Sequence, residues 1–294
     1  MNDFIISTDA TCDLPRDFAE QNRIQVIPMK YTLGDTEYSS EGENSLSSKE
    51  FYDRMRNGAM PKTVQITQEE AYAHFERFLK EGRDVLHIAF SSALSGSCDS
   101  ALLAAKRAKE QFPERKVVVI DSLCASLGEG LYVYYAVQYQ KSGMTLEETA
   151  QKLEKIKQQL CHYFTVDDLH HLHRGGRVSK TAAIVGSVLG IKPVLHVDEA
   201  GRLIPIGKVR GRKQSLNQLV ARMKEKTAGV KNEIFFVSHG DCLEDAEYVA
   251  DLVKKECGVK KYIIGDIGPV IGTHSGPGTV ALFFLGESRT EKQK

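Results

Sequence analysis

Short, wholly apolar runs alternate along the chain with longer segments in which apolar residues recur at helical spacing. That alternation predicts parallel strands joined by crossover helices. Phe4-Ile5-Ile6 reads as a first strand, Ile24 to Met29 as a second, Val85 to Phe90 as a third and Val117 to Ile120 as a fourth. The first strand ends in Ser7-Thr8-Asp9, and Asp13 stands where it would cap a helix entered through Leu14-Pro15. The third and fourth each run into a loop rich in Ser and Gly and then a helix. Ligands of open α/β sheets gather at such carboxyl ends of strands.

Three helix starts carry the capping-box spacing, a hydroxyl followed three residues later by Glu: Ser47 with Glu50, Thr67 with Glu70, and Thr145 with Glu148. The third opens an amphipathic helix with Leu146, Ala150, Leu153, Ile156 and Leu160 on one face. That helix is expected to close an N-terminal parallel-sheet α/β domain, residues 1–160. A smaller, two-layer C-terminal α/β domain, 161–294, then opens near Tyr163. It is expected to hold a hairpin around Gly201, a strand at Ile234 to Val237, a helix near 242–255 and a last pair of strands around GDIGPVIGTHSGPG. No repeat or low-complexity linker interrupts the chain.

Composition narrows the function. The length of 294 residues suits about two domains. Lys plus Arg and Asp plus Glu are both 39, so no global field draws the chain to nucleic acid or to an anionic membrane. The start, MNDFIISTDATCD, lacks a basic-then-apolar signal pattern, and no apolar run approaches a membrane span. The expectation is therefore a cytoplasmic protein without stable membrane insertion. Its six cysteines, at 12, 98, 124, 161, 242 and 257, form no CxxC pair. They read as reduced thiols, several of them core fillers, rather than as a zinc site.

Candidate chemistry is concentrated in segments dense in Ser, Thr, Gly and His: TVQIT (63–67), SSALSGS (91–97), DSLCASLGEG (121–130) and GTHSGPG (272–278). Two more are basic, HRGGRVSK (173–180) and KVRGRK (208–213). SSALSGS follows a strand and opens a helix spanning Ala101 to Phe112. Its hydroxyls and free N–H groups suit an anion, and equally Ser95 suits a plain helix cap. GTHSGPG suits a phosphate loop without a P-loop lysine, or a tight turn between strands. His274 either binds an anion or satisfies a neighbouring backbone group. Thr67 reads as an N-cap. His170, His171 and His173 lie beside Asp167 and Asp168, but their spacing points them to different faces of a helix, so a solvated face is the better reading than a metal cluster. No GxSxG elbow marks a serine hydrolase.

Taken in order, these segments resemble the DegV family, whose members include the fatty-acid-binding subunit of bacterial fatty acid kinase. The likeness runs from STDATCDLP (7–15) through SSALSGS, VVVIDS, HRGGRVSK, LGIKPVLHVDEAG and KVRG to GTHSGPG. It implies a DegV-like fold with one long-chain fatty acid held between the two domains and no cofactor. It implies that Thr63, Ser95 and His274 surround the carboxylate, and that Arg177 and Arg210, outside the pocket, face a kinase catalytic subunit and its phosphates. The chain would then be a carrier that presents the carboxylate for acyl-phosphate formation. The alternative is a Ser/His-dependent hydrolase or phosphotransferase acting on a small acyl or phosphate substrate. The absence of P-loop, kinase and metal-ligand motifs favours the carrier. This chain departs from the family pattern where TVQIT replaces TSQPS, with Val64 in place of a hydroxyl and Ile66 in place of a proline. SGSC also replaces SGTY.

Overall fold

The computed structural model describes residues 4–179 and 190–291. Lys180, at the end of the basic HRGGRVSK segment, and Leu189, at the start of LGIKPVLHVDEAG, lie outside the described residues.

The four expected strands form one parallel sheet. β1 (Ile5–Asp9) lies between β2 (Gln25–Ile27) and β6 (Val85–Ala89), and β7 (Val117–Asp121) forms the far edge. β1 and β6 are buried throughout, as a parallel sheet covered on both faces requires. Helices α3 (Gln68–Lys80) and α4 (Ser97–Gln111) cover one face; α5 (Leu127–Lys141) and α6 (Leu146–Ile156) cover the other. A small antiparallel sheet, β4 (Thr36–Ser39), β3 (Lys30–Leu33) and β5 (Lys62–Val64), stands beside it with α2 (Ser48–Arg56) and carries Thr63.

A second large sheet has the order β10 (Leu203–Arg210), β9 (Ile191–Val197), β8 (Leu160–Thr165), β13 (Val280–Leu285), β11 (Ile234–His239) and β12 (Lys261–Asp266). All its pairs are antiparallel except β11 with β12. Helices α8 (Arg212–Lys226) and α9 (Leu243–Cys257) pack on its outer face. Its inner face packs on α5, which also touches β1 and β6. Leu127, Leu131, Tyr132, Val133, Ala136 and Val137 of α5 are all buried, so this helix is apolar nearly all round and joins the two sheets through one continuous core. Among the described residues no helix is long and apolar enough to cross a membrane.

All three capping boxes form, at Ser47/Glu50, Thr67/Glu70 and Thr145/Glu148. Three local expectations are corrected. Asp13 does not cap the helix that follows Pro15: it closes the short 3-10 turn Ala10–Cys12 in the left-handed region (φ 51°), and its carboxylate accepts from Gly268 N–H at 2.9 Å. Leu160 does not continue the amphipathic helix, which stops at Ile156; it opens β8. GTHSGPG is not a turn between paired strands. Gly272 to Ser275 complete a short helix, α10 (Pro269–Ser275), with Pro269 at its first position. β13 then inserts between β8 and β11 rather than beside β12.

Candidate functional site

A cavity of about 190 Å³ lies where the loops after β6 and β7, the end of β5 and helix α10 face the inner side of the second large sheet. Much of its wall is apolar, with Met29, Phe90, Phe164, Val197, Leu203 and Phe283 among the lining residues. Ser126, His162, Ser275 and Thr279 line it as well. Its other hydrogen-bonding groups include Thr63, Gln65, Ser95, Gly96, Arg177 and His274, which neighbour one another through Thr63–His274, Gly96–Gln65 and the Arg177 bond to Leu94 O.

Each of these is placed by local structure. Thr63 lies in β5, paired opposite Tyr31 of β3. Ser95 and Gly96 end the loop after β6 and lead into α4. Ser95 is not the N-cap: that position is Gly96, whose N–H has no acceptor among the described residues. Ser95 Oγ instead accepts from Ser97 N–H at 3.2 Å and lies 3.0 Å from Ser97 Oγ, which accepts from Ile66 N–H at 3.1 Å. The TVQIT segment is thereby tied to the start of α4. Ile66, in place of the family's proline, supplies that N–H and buries its side chain. Val64 points outward, 43% exposed, so the hydroxyl it replaces is lost from the surface rather than from the cavity wall.

Helix α10 brings His274 to the same place, where Nε2 lies 2.9 Å from Thr63 Oγ1. Gly272 allows the helix to sit so close: a Cβ there would stand 2.5 Å from Tyr52 Oη, and that hydroxyl donates to Ile267 O at 2.9 Å. Gly175 serves the other side of the ring, since its Cβ would lie 2.1 Å from His274 Nδ1. Burial, with Arg177 and Arg174 adding to it, pushes the His274 pKa down to about 4, so the ring is neutral near pH 7.

Arg177 lines the cavity, whereas the family resemblance placed it outside. Its Nε and Nη2 donate to Leu94 O at 3.1 and 3.0 Å, and Nη1 donates to Gly175 O. It therefore braces the residue before Ser95 and the glycine against His274. Burial lowers its pKa from the ordinary arginine value. Arg210 is not brought to the cavity; it is exposed at the end of β10, opposite Ile191. The three histidines of α7 (His170–Arg174) turn to different neighbours. His170 Nδ1 meets Asp168 at 2.7 Å, His171 packs under Gly276, and His173 faces Val178 O. No group of three or more potential metal ligands occurs among the described residues. Sequence reasoning missed Gln65, Gly96 and the buried His162 as lining residues.

An α/β protein with a parallel sheet, a second mixed sheet and an amphipathic cavity between them is the class that fold and site define. Within that class the chain belongs to the DegV family, whose model it matches over residues 3–287. A DegV domain-containing protein of Clostridium perfringens is 41% identical, the alignment covering 98% of this chain and 99% of that protein. Among solved structures, a DegV lipid-binding protein of Thermotoga maritima is 32% identical with a TM-score of 0.84, covering 98% of this chain and 99% of that one. A stearic-acid-binding protein of Eubacterium ventriosum is 26% identical with a TM-score of 0.88, covering 97% and 99%.

Proposed function

We propose that this protein binds one long-chain fatty acid in the cavity, with the carboxylate at Thr63, Ser95 and His274 and the tail along the apolar wall. The observation that carries the reading is the division of one cavity into an apolar wall and a compact polar corner. A fatty acid makes those two opposed demands. Each buried methylene contributes about 0.8 kcal/mol, so a tail of about fifteen contributes about 12 kcal/mol before ordering costs. A buried carboxylate needs hydrogen bonds to offset its desolvation. Two hydroxyls, the free Gly96 N–H at the start of a fifteen-residue helix and a neutral histidine supply them. The DegV relatives described as lipid- and fatty-acid-binding support the same ligand.

The reading extends to a cytoplasmic carrier without turnover of its own, which offers the carboxylate to a partner kinase for acyl-phosphate formation. Hydrogen bonds from hydroxyls leave carboxylate lone pairs open for attack on phosphorus, where a bidentate arginine would occupy them. Arg177 beside the head group and Arg210 at the exposed end of β10 then serve the phosphate side of the transfer. Mass spectrometry of lipid extracted from protein purified without added ligand tests the core of this. Fatty acid near one equivalent per chain is expected. A nucleotide or sugar in its place would refute the reading.

A further inference from the structure

The wall that the second large sheet gives to the cavity is not wholly apolar. β8 turns Leu160, His162 and Phe164 toward α5, and β13 turns Ala281 and Phe283 the same way. His162, Phe164, Ala281 and Phe283 line the cavity. His162 is 2% exposed, and neither ring nitrogen has a hydrogen-bond partner among the described residues. Among the described residues its ring partner is apolar, Phe283, edge-on at 5.3 Å between centroids. The hydrogen bonds of the Thr63–His274 corner do not reach it. A second polar atom on the same cavity, Ser275 Oγ, is likewise buried and without a partner among the described residues.

A histidine placed so is unfavourable beside a plain hydrocarbon chain, because a buried donor or acceptor left unmade costs the full desolvation of that group. The chain nevertheless reserves room for the ring. Gly128, in the first turn of α5, faces it so closely that a Cβ there would stand 2.2 Å from Nε2. The chemistry of the group narrows what it would accept. Burial, with Arg289 and His196 adding to it, holds His162 neutral, so it offers one N–H donor and one lone pair rather than a charge. That suits a hydroxyl or carbonyl. Arg289, whose charge acts on His162, donates to the carbonyls of Leu123 and Lys157 and does not line the cavity, so a second carboxylate there would lack a direct ionic partner.

We propose that His162 is a specificity residue that reads a polar substituent, a hydroxyl or keto oxygen, carried part-way along the acyl chain. The inference rests on the fatty-acid reading above and narrows its substrate class to oxygenated long-chain acids. A single buried hydrogen bond made in place of an unmade one corresponds to about tenfold in affinity.

The test is competition binding on the delipidated full-length protein, with stearic acid and a positional series of hydroxystearic acids as probes. At least one isomer should bind about tenfold more tightly than stearic acid. His162→Phe should lower affinity for that isomer far more than for stearic acid, and His162→Gln, which keeps a donor and an acceptor, should retain part of the preference. If stearic acid binds and no isomer exceeds it, the inference is overturned and the fatty-acid reading stands. An isomer preferred equally by the parent and by His162→Phe would overturn the inference in the same way. If neither stearic acid nor any isomer binds, the fatty-acid reading itself fails. Should His162→Phe not fold, the positional series on the parent protein decides by itself.

Discussion

Replacing Thr63 by valine removes one hydroxyl and almost no volume, at a position whose one side-chain hydrogen bond among the described residues is with His274 Nε2 at 2.9 Å. Thr63 is half-buried in a short strand, so the loss to folding stability should stay below about 1 kcal/mol. The loss to binding should be larger, because the bound carboxylate shields the site from water and would keep an unmet acceptor. A missing donor to a buried charged group costs about 1–3 kcal/mol, or about 5- to 150-fold in Kd. Isothermal titration of delipidated protein with a long-chain fatty acid, run beside thermal melts, separates the two. Combining Thr63→Val with His274→Gln should give losses that do not add, with a coupling of about 0.5–3 kcal/mol, since the two side chains touch. Thr67→Ala, four residues on, is the control. It breaks a capping box and should lower stability by about 1 kcal/mol without touching affinity. The reasoning is refuted if Thr63→Val binds as tightly as the parent, or if Thr67→Ala weakens binding as much as it does.

Two further outcomes are expected. Because His274 titrates near 4 when folded and near 6.5 when unfolded, the unfolded chain takes up more protons between those values, and stability falls as pH drops from about 6.5 to 4. The share from this residue is at most about 3 kcal/mol. His274→Gln should flatten the pH dependence of chemical denaturation by that share, and an unchanged slope would contradict the environment described for the ring. Neutralising Arg210 should depress acyl-phosphate formation by a cognate kinase much more than it weakens lipid binding, whereas neutralising Arg177, which lines the cavity and braces Leu94 and Gly175, should weaken both. Equal losses on Arg210 replacement would remove it from the phosphate side, and turnover of acyl substrates without any kinase would favour the enzyme alternative.

Much of the architecture was legible because the signals were local. The four strands of the parallel sheet are apolar runs, and the three capping boxes rest on a contact three residues apart, so spacing alone predicts them. Asp13 misled because its residue type suits a cap, while the donors to its carboxylate, Gly268 N–H and Ser126 Oγ, lie 255 and 113 positions away. GTHSGPG misled in part for a related reason: Gly276 and Gly278 do take positive φ, but Gly272 serves the close packing of a helix on Tyr52. Thr63, Ser95 and His274 entered as residues of the family motifs, and the fold brings all three to one cavity. Arg177 was expected outside the pocket, where basic side chains are usually solvated. Its guanidinium is drawn inward by the carbonyls of Leu94 and Gly175, which no local pattern records. His162, one polar residue in the buried run of β8, gives no local sign that it lines a cavity.

The central claim is that one fatty acid occupies this cavity with its head group in the Thr63–Ser95–His274 corner. A crystal structure of the protein loaded with stearic acid tests it most directly. The account predicts carboxylate oxygens within hydrogen-bonding distance of Thr63 Oγ1 and Ser95 Oγ, with the tail against Phe164 and Phe283. A lipid bound elsewhere, or lying in the cavity with its carboxylate away from Thr63, Ser95 and His274, would contradict it.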